Sequence, residues 1–105
     1  MNRDKNLPLT ETTYYILLAL MEPAHGYHIM QKVEELSKQQ VKLAAGTLYG
    51  GIENLMKQKL IQPVQSEDIR RKVYVITEKG KEILQLDFDR MEHLIEITKK
   101  YIKEI

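Results

Sequence analysis

Apolar positions recur at spacings of three and four residues in four stretches of the chain, and at alternate positions in one short region between the third stretch and the fourth. The first spacing is that of helices and the second that of strands. The first helix should begin at Thr10, a good capping residue, with Leu9 placed to staple onto Tyr14. It should run through Met21, apolar on nearly all sides, and stop before Pro23. A helix that is apolar all round is buried all round, so in so small a domain a second surface is needed to cover it. After a turn at Ala24, His25 and Gly26, the residues Tyr27, Met30, Val33 and Leu36 recur every three positions with Ile29 beside them. Lys32, Glu34 and Glu35 face the other way. This is the pattern of an amphipathic second helix.

Residues 39–43 read as a linker with room for one extended pair, and a third helix should cover residues 45–59. Residues 60–65 and 71–76 read as two strands joined by a turn at 66–70, which includes Ile69, and Pro63 restricts its strand to a sheet edge. Thr77 caps a last helix that should run to the C-terminus. Along it Leu84, Phe88, Met91, Ile95, Thr98, Ile102 and Ile105 alternate four and three apart, a heptad stripe broken by Thr98. Its roughly 27 residues would span about 40 Å, longer than a domain of this size is wide. Much of that stripe therefore needs a partner.

With 105 residues, 43% of them hydrophobic and 30% charged, the chain has the composition of one globular domain. It carries no apolar run long enough for a membrane span, and its start at Met1, Asn2 and Arg3 lacks the apolar core of a signal peptide. The expectation is a cytoplasmic protein without membrane contact. Absence of cysteine excludes disulfides, thiolate metal sites and cysteine nucleophiles. The net charge of +1 conceals a gradient. Residues 1–37 hold three basic and five acidic side chains, residues 38–81 nine and four, and residues 82–105 four and six. Basic charge concentrated in the middle segment suggests an anionic partner there.

Three helices followed by a hairpin is the order of a winged helix-turn-helix, whose third helix enters the DNA major groove while the hairpin wing touches the flanking backbone. The fold class expected is thus mainly α with a small β-hairpin: a DNA-binding unit over residues 1–77 and a dimerisation helix over 78–105. At 100° per residue, Leu48, Ile52, Leu55 and Met56 define the core face of the third helix, and Gly46, Gly50, Asn54 and Lys57 the opposite one. Gly50 then lets backbone approach DNA, whereas Gly51, on the flank, permits close packing of a neighbouring helix. Thr47 and Tyr49 lie at the shoulders of the first turn, beside N–H groups suited to a phosphate. Arg70, Arg71 and Lys72 open the returning strand, where alternation turns at least one of them away from the domain.

The segments GTLYGGIENLMKQKLI at 46–61, RRKVYVITEKG at 70–80 and HGY at 25–27 resemble, in order and spacing, the signature segments of the PadR family of transcriptional regulators. The resemblance covers essentially the whole chain and is closest to the short branch with one long C-terminal helix. It implies a winged-helix domain that binds double-stranded DNA, a homodimer in which the C-terminal helix packs with the partner's N-terminal helix, and repression relieved by a small effector. The chain has no Trp. A pocket of stacked Trp side chains is therefore excluded, and Phe88 and Met91 are the substitutes near the dimer centre. A small hydrophobic effector would meet Tyr14, Leu18, Phe88 and Met91. Dimer contacts would fall on Tyr15, Leu84, Phe88, Met91, Ile95 and Ile102.

No cofactor, metal or catalytic role is expected. His25 and His28 lack a third ligand of matching spacing, and no serine, histidine and acid arrangement, phosphate-cradling loop or cofactor fingerprint is present. The Arg70, Arg71 and Lys72 cluster has a second reading as a charged guard on an edge hairpin. The competing function is a winged helix that binds protein. Its third helix should face outward with apolar or acidic residues, whereas here Gly50, Asn54 and Lys57 are joined by only one carboxylate, Glu53.

Overall fold

The computed structural model describes residues 4–68 and 70–102. Ile69 of the expected turn, Ile105 of the expected stripe and the start at residues 1–3 lie outside the described residues. The order is α1 (Glu11–Ala19), β1 (Ala24–His25), α2 (Gly26–Leu36), α3 (Ala45–Lys57), β2 (Ile61–Val64), β3 (Val73–Ile76) and α4 (Glu78–Lys99). The fold is mainly helical with a small antiparallel sheet, as expected. That sheet has three strands, in the order β1-β3-β2. The turn expected at Ala24 and His25 is in fact a strand, pairing Ala24 with Tyr74 and His25 with Val73. Two residues are too few to show alternation in sequence. Pro63 lies on edge strand β2, opposite Tyr74.

Both threonine caps form. Thr10 Oγ1 accepts the N–H of Thr13 at 3.1 Å, and Thr77 Oγ1 accepts that of Gly80 at 3.0 Å. Three helices end earlier than their apolar patterns do. α1 stops at Ala19, and the N–H of Leu20 is shared between the carbonyls of Ile16 and Leu17. α3 stops at Lys57, because Lys59 adopts a left-handed φ of 62°. The N–H of Leu60 then returns to the Leu55 carbonyl and that of Lys59 to the Met56 carbonyl, both at 3.0 Å. This is a Schellman termination without the usual glycine. α2 ends the same way: Lys38 has φ 53°, and the Gln39 N–H reaches the Glu34 carbonyl at 2.8 Å. The expected extended pair at 39–43 is absent among the described residues. α4 covers 22 residues, about 33 Å rather than 40 Å.

The core draws Ile16, Leu17 and Leu20 from the α1 region, Leu48, Ile52 and Leu55 from α3, and Tyr74 and Ile76 from β3. α2 contributes Ile29 and Val33, both fully buried, whereas Tyr27 and Leu36 are exposed. Its buried face is therefore rotated from the one expected, with Ile29 at its centre instead of its margin. Ile83 and Leu84 join the same core, so the first turns of α4 pack with the elements before it.

One junction ties the C-terminus of α3 to the sheet and to α4. The Leu60 carbonyl accepts the Thr77 N–H at 3.0 Å, and the Lys59 carbonyl accepts the Thr77 hydroxyl at 2.7 Å. Gly80 lies over the Leu60 carbonyl so closely that a Cβ there would overlap its oxygen and stand 2.7 Å from Ile76 Cγ1. Gly51 is different. A Cβ at that position would meet Ile16 Cδ1 at 3.5 Å, an ordinary contact, so the close approach expected there does not require glycine.

Gly80→Ala should therefore cost about 2 kcal/mol or more through overlap with fixed backbone, whereas Gly51→Ala should gain about 0.5–1 kcal/mol from helix propensity. Urea unfolding midpoints of the two variants check both signs.

Candidate nucleic-acid interface

α3 opens without a side-chain cap, since its N-cap is Ala44. The N–H groups of its first turn consequently face solvent unpaired by any capping side chain. Thr47, Tyr49, Gly50, Asn54 and Lys57 are all exposed. A Cβ on Gly46 or Gly50 would meet no atom within 4 Å, so the early outward face is bare backbone with open space before it. Lys57 lies 3.7 Å from Glu53, but both side chains are mostly in solvent, which leaves the lysine free to exchange this partner for another anion. Asn54 borders a small cleft that also contains Lys5 and Gln58, and the buried Gln58 Oε1 has no hydrogen-bond partner there.

Arg70, Arg71 and Lys72 precede β3 instead of opening it, because the strand begins at Val73. Strand alternation does not orient them: all three lie in the wing loop, and all three are exposed. Asp68 organises the loop, with Oδ1 accepting the Arg70 backbone N–H at 3.0 Å and the Arg70 Nε at 3.3 Å. Arg70 is thus partly neutralised. Arg71 and Lys72 have no ion-pair partner among the described residues.

The wing faces the start of α2 across an open cleft of about 460 Å³, lined by Arg70, Arg71, Lys72, His25, Gly26, Tyr27 and Tyr49. Tyr49 reaches across from α3. Its hydroxyl stands where a side chain on Gly26 would begin, 2.5 Å from the position of a Cβ. It also lies near the buried Tyr74, whose phenol is raised above its usual pKa by burial first and by Tyr49 second. The sites expected from sequence therefore form two groups: Tyr49 and the wing cations around the cleft, and Thr47, Gly50, Asn54 and Lys57 along α3. From the sequence Gly26 reads as part of a turn and Tyr27 as an apolar position of α2, and neither reading places them at a functional cleft. His25 Nδ1 accepts the His28 N–H at 3.4 Å, so this side chain caps α2.

A second, apolar groove of about 440 Å³ separates α1 from α4 and is lined by Tyr14, Leu18, Leu84 and Phe88, with Met21, Lys81 and Gln85. Three of the four expected effector contacts meet there. Met91 does not line it. Leu84 is buried in the chain's own core, and Tyr15 packs half-buried against that core, while Ile95 and Ile102 are exposed. α4 also holds a residue that sequence reasoning missed: Asp87, 1% exposed, accepts a hydrogen bond from Arg90 Nε at 2.7 Å. Burial raises the Tyr14 pKa, and the Asp87 carboxylate adds to that effect.

Residues 16–86 match the sequence model of the transcriptional regulator PadR-like family. The chain is 31% identical over 80 residues to an uncharacterized 37.1 kDa protein in transposon TN4556 of Streptomyces fradiae; the match takes in 75% of this chain and 22% of that protein, so the chain spans about a fifth of that relative's length. Among solved structures it is similar to a PadR-like transcription factor from Bacteroides fragilis, with 29% identity, a TM-score of 0.73, and coverage of 86% of this chain and 88% of that one. Its fold is also similar to that of BpsR from Bordetella bronchiseptica, whose DNA binding is regulated by 6-hydroxynicotinic acid. There the identity is 18%, the TM-score 0.67, and the coverage 90% of this chain and 64% of the other. No helix among the described residues is long and apolar enough to cross a membrane.

The two raised tyrosines give stability a pH dependence of fixed sign. Unfolded, Tyr14 and Tyr74 titrate near 10.0; folded, they hold their protons to higher pH. Their contribution is complete below pH 10.0 and is lost as pH rises through the folded values. Urea midpoints should fall above that pH, and Tyr74→Phe should lessen the fall.

Proposed function

The chain belongs to the PadR-like family of transcriptional regulators, and we propose that it acts as a homodimeric repressor on a pseudo-palindromic operator in the cytoplasm and is released by a small hydrophobic effector. The observation that carries the DNA-binding part is the bare outward face at Gly46 and Gly50, with unpaired wing cations at its flank. α3 would lie in the major groove with Asn54 and Lys57 toward base edges or phosphates, and Thr47 and Tyr49 would anchor the backbone. Arg70, Arg71 and Lys72 would hold the flank. A protein-binding winged helix is the weaker reading, because it calls for an apolar or acidic outward face.

The dimer reading rests on α4. Beyond the core the apolar side chains of α4 include Met91 and Ile95, with Leu94 and Ile97 beside them, and Tyr101 and Ile102 follow just past the end of the helix. Ile95 is 52% exposed and Leu94 44% exposed. A face this broad exceeds a two-helix seam and suits contact with two helices of a second copy. Residues 1–77 would then serve DNA binding and 78–105 dimerisation. The groove between α1 and α4 opens on the same side as Phe88, and an effector there would touch Tyr14, Leu18 and Phe88 near the dimer contact. The fold shared with BpsR supports a small-molecule effector as the mode of release.

Duplexes selected from a random library should contain two half-sites about one helical turn apart. On such a duplex, Gly50→Leu should abolish most of the affinity without lowering the thermal midpoint. Asn54→Ala should cost about 1–3 kcal/mol and relax one base pair, whereas Arg71→Ala should weaken all sequences alike and flatten the salt dependence. Anisotropy titrations separate these outcomes, and unchanged affinity in Gly50→Leu would refute the groove assignment. For the dimer, Ile95→Glu should yield monomer or unfolded chain in a sedimentation run that shows the native protein as dimer.

A further inference from the structure

Between Gly46 and Lys57, α3 carries a single acidic side chain, Glu53. It lies three positions after Gly50 with its side chain 70% exposed, and its Oε1 is 3.7 Å from the Nζ of Lys57, one turn further on. A carboxylate on a surface assigned to DNA is repelled by phosphates whatever the sequence. Its attraction for Lys57 does not offset that repulsion, because an ion pair so open to water contributes little. The groups in the major groove that receive a carboxylate are exocyclic amino groups, N4 of cytosine and N6 of adenine. Gly46 and Gly50 bring no side chain to hold the helix off the groove floor, and a Cβ on either would meet nothing within 4 Å. Glu53 and Lys57 therefore project past bare backbone.

We propose that Glu53 is a specificity-determining residue, accepting a hydrogen bond from N4 of a cytosine while Lys57 donates to the guanine paired with it. The assignment rests on the DNA-binding reading above and names the base pair that this turn of α3 reads. Along the edge of a C·G pair, N4 and O6 are joined by a hydrogen bond and lie about 3 Å apart. The carboxylate and ammonium, 3.7 Å apart, are already spaced to meet them as acceptor and donor. Adenine N6 beside thymine O4 offers the same order, but guanine adds N7 next to O6 where thymine presents a methyl group. The ammonium thus finds two acceptors on C·G and one on A·T. A reversed pair sets acceptor against carboxylate and donor against ammonium, so Glu53 also fixes which strand carries the cytosine. At every other sequence the carboxylate remains unmatched, and its repulsion acts against binding there.

The test selects bound duplexes from a random library with the full native chain, Glu53→Ala, Glu53→Gln and Lys57→Ala, and follows each on the selected operator by fluorescence anisotropy. The native chain should select a C·G pair at one position of each half-site. Glu53→Ala should reduce that preference by about fivefold or more, bind mixed-sequence duplex more tightly, and keep its thermal midpoint. Glu53→Gln should move the preference from cytosine toward adenine, because an amide pairs with adenine N6 and N7. Lys57→Ala should lose preference at the same position, and loss at a different one overturns the shared pair. Replacing the selected cytosine by 2-pyrimidinone, which lacks the amino group, should weaken the native chain and make no further difference to Glu53→Ala. If Glu53→Ala keeps the native preference and tightens all sequences alike, Glu53 is a solvated partner of Lys57, and the assignment falls while DNA binding stands. Preference lost at an A·T pair overturns the cytosine assignment. Selection of no common sequence by the native chain overturns the assignment and the DNA-binding reading together.

Discussion

The carbonyl of Leu60 is the point on which the arrangement of the molecule depends. It follows the left-handed residue that ends α3, accepts the N–H of Thr77 where β3 gives way to α4, and lies under Gly80 with no room for a side chain between them. Three elements are thereby fixed to a single backbone group. The third helix cannot tilt without moving the sheet, and the sheet cannot shift without moving the start of α4. Hydrogen bonds alone would allow some play, since each contributes only about 1 kcal/mol net. Steric closeness at Gly80 removes it, because packed backbone tolerates little displacement.

The surface assigned to DNA inherits its geometry from this junction and from a second interlock, in which Tyr49 fills the space that Gly26 leaves empty. Two glycines thus do a similar job: Gly26 admits Tyr49 of α3 against the start of α2, and Gly80 brings the start of α4 onto the Leu60 carbonyl just past the end of α3, each more closely than any other residue would allow. Gly46 and Gly50 are glycines of another kind, bare toward solvent and open to a partner.

Much of this could be read from the sequence where a residue type has one physical use. Thr10 and Thr77 announce helix starts because their hydroxyls satisfy a free N–H, and Pro63 announces an edge because it has no N–H to give. Helix ends were harder. Lys59 terminates α3 in a conformation that sequence rules assign to glycine, so the helical pattern reads two residues too far, whereas the apolar pattern of α2 stops at Leu36, where the helix does. The two residues of β1 carry no period, and the limits of β3 depend on pairing with β2, which left the wing cations on the wrong side of a strand boundary. Asp87 was unreadable for another reason: a carboxylate on a heptad helix looks solvated until it is seen buried, with the arginine three residues later donating to it. Among the site residues, those on the outward face of α3 followed from helical geometry, while Gly26 needed a contact between segments more than twenty residues apart.

The sheet has a further consequence for how the chain behaves in a crowded solution. Its two outer strands are a pair of residues at β1 and a four-residue β2 interrupted by Pro63, so neither margin offers an uninterrupted row of backbone donors and acceptors on which another strand could grow. Sheet margins of this kind resist templated aggregation. Copies of the chain are thereby steered away from fibrous, strand-by-strand association, and contacts between them fall to side chains on helices, where registry and stoichiometry are set by shape.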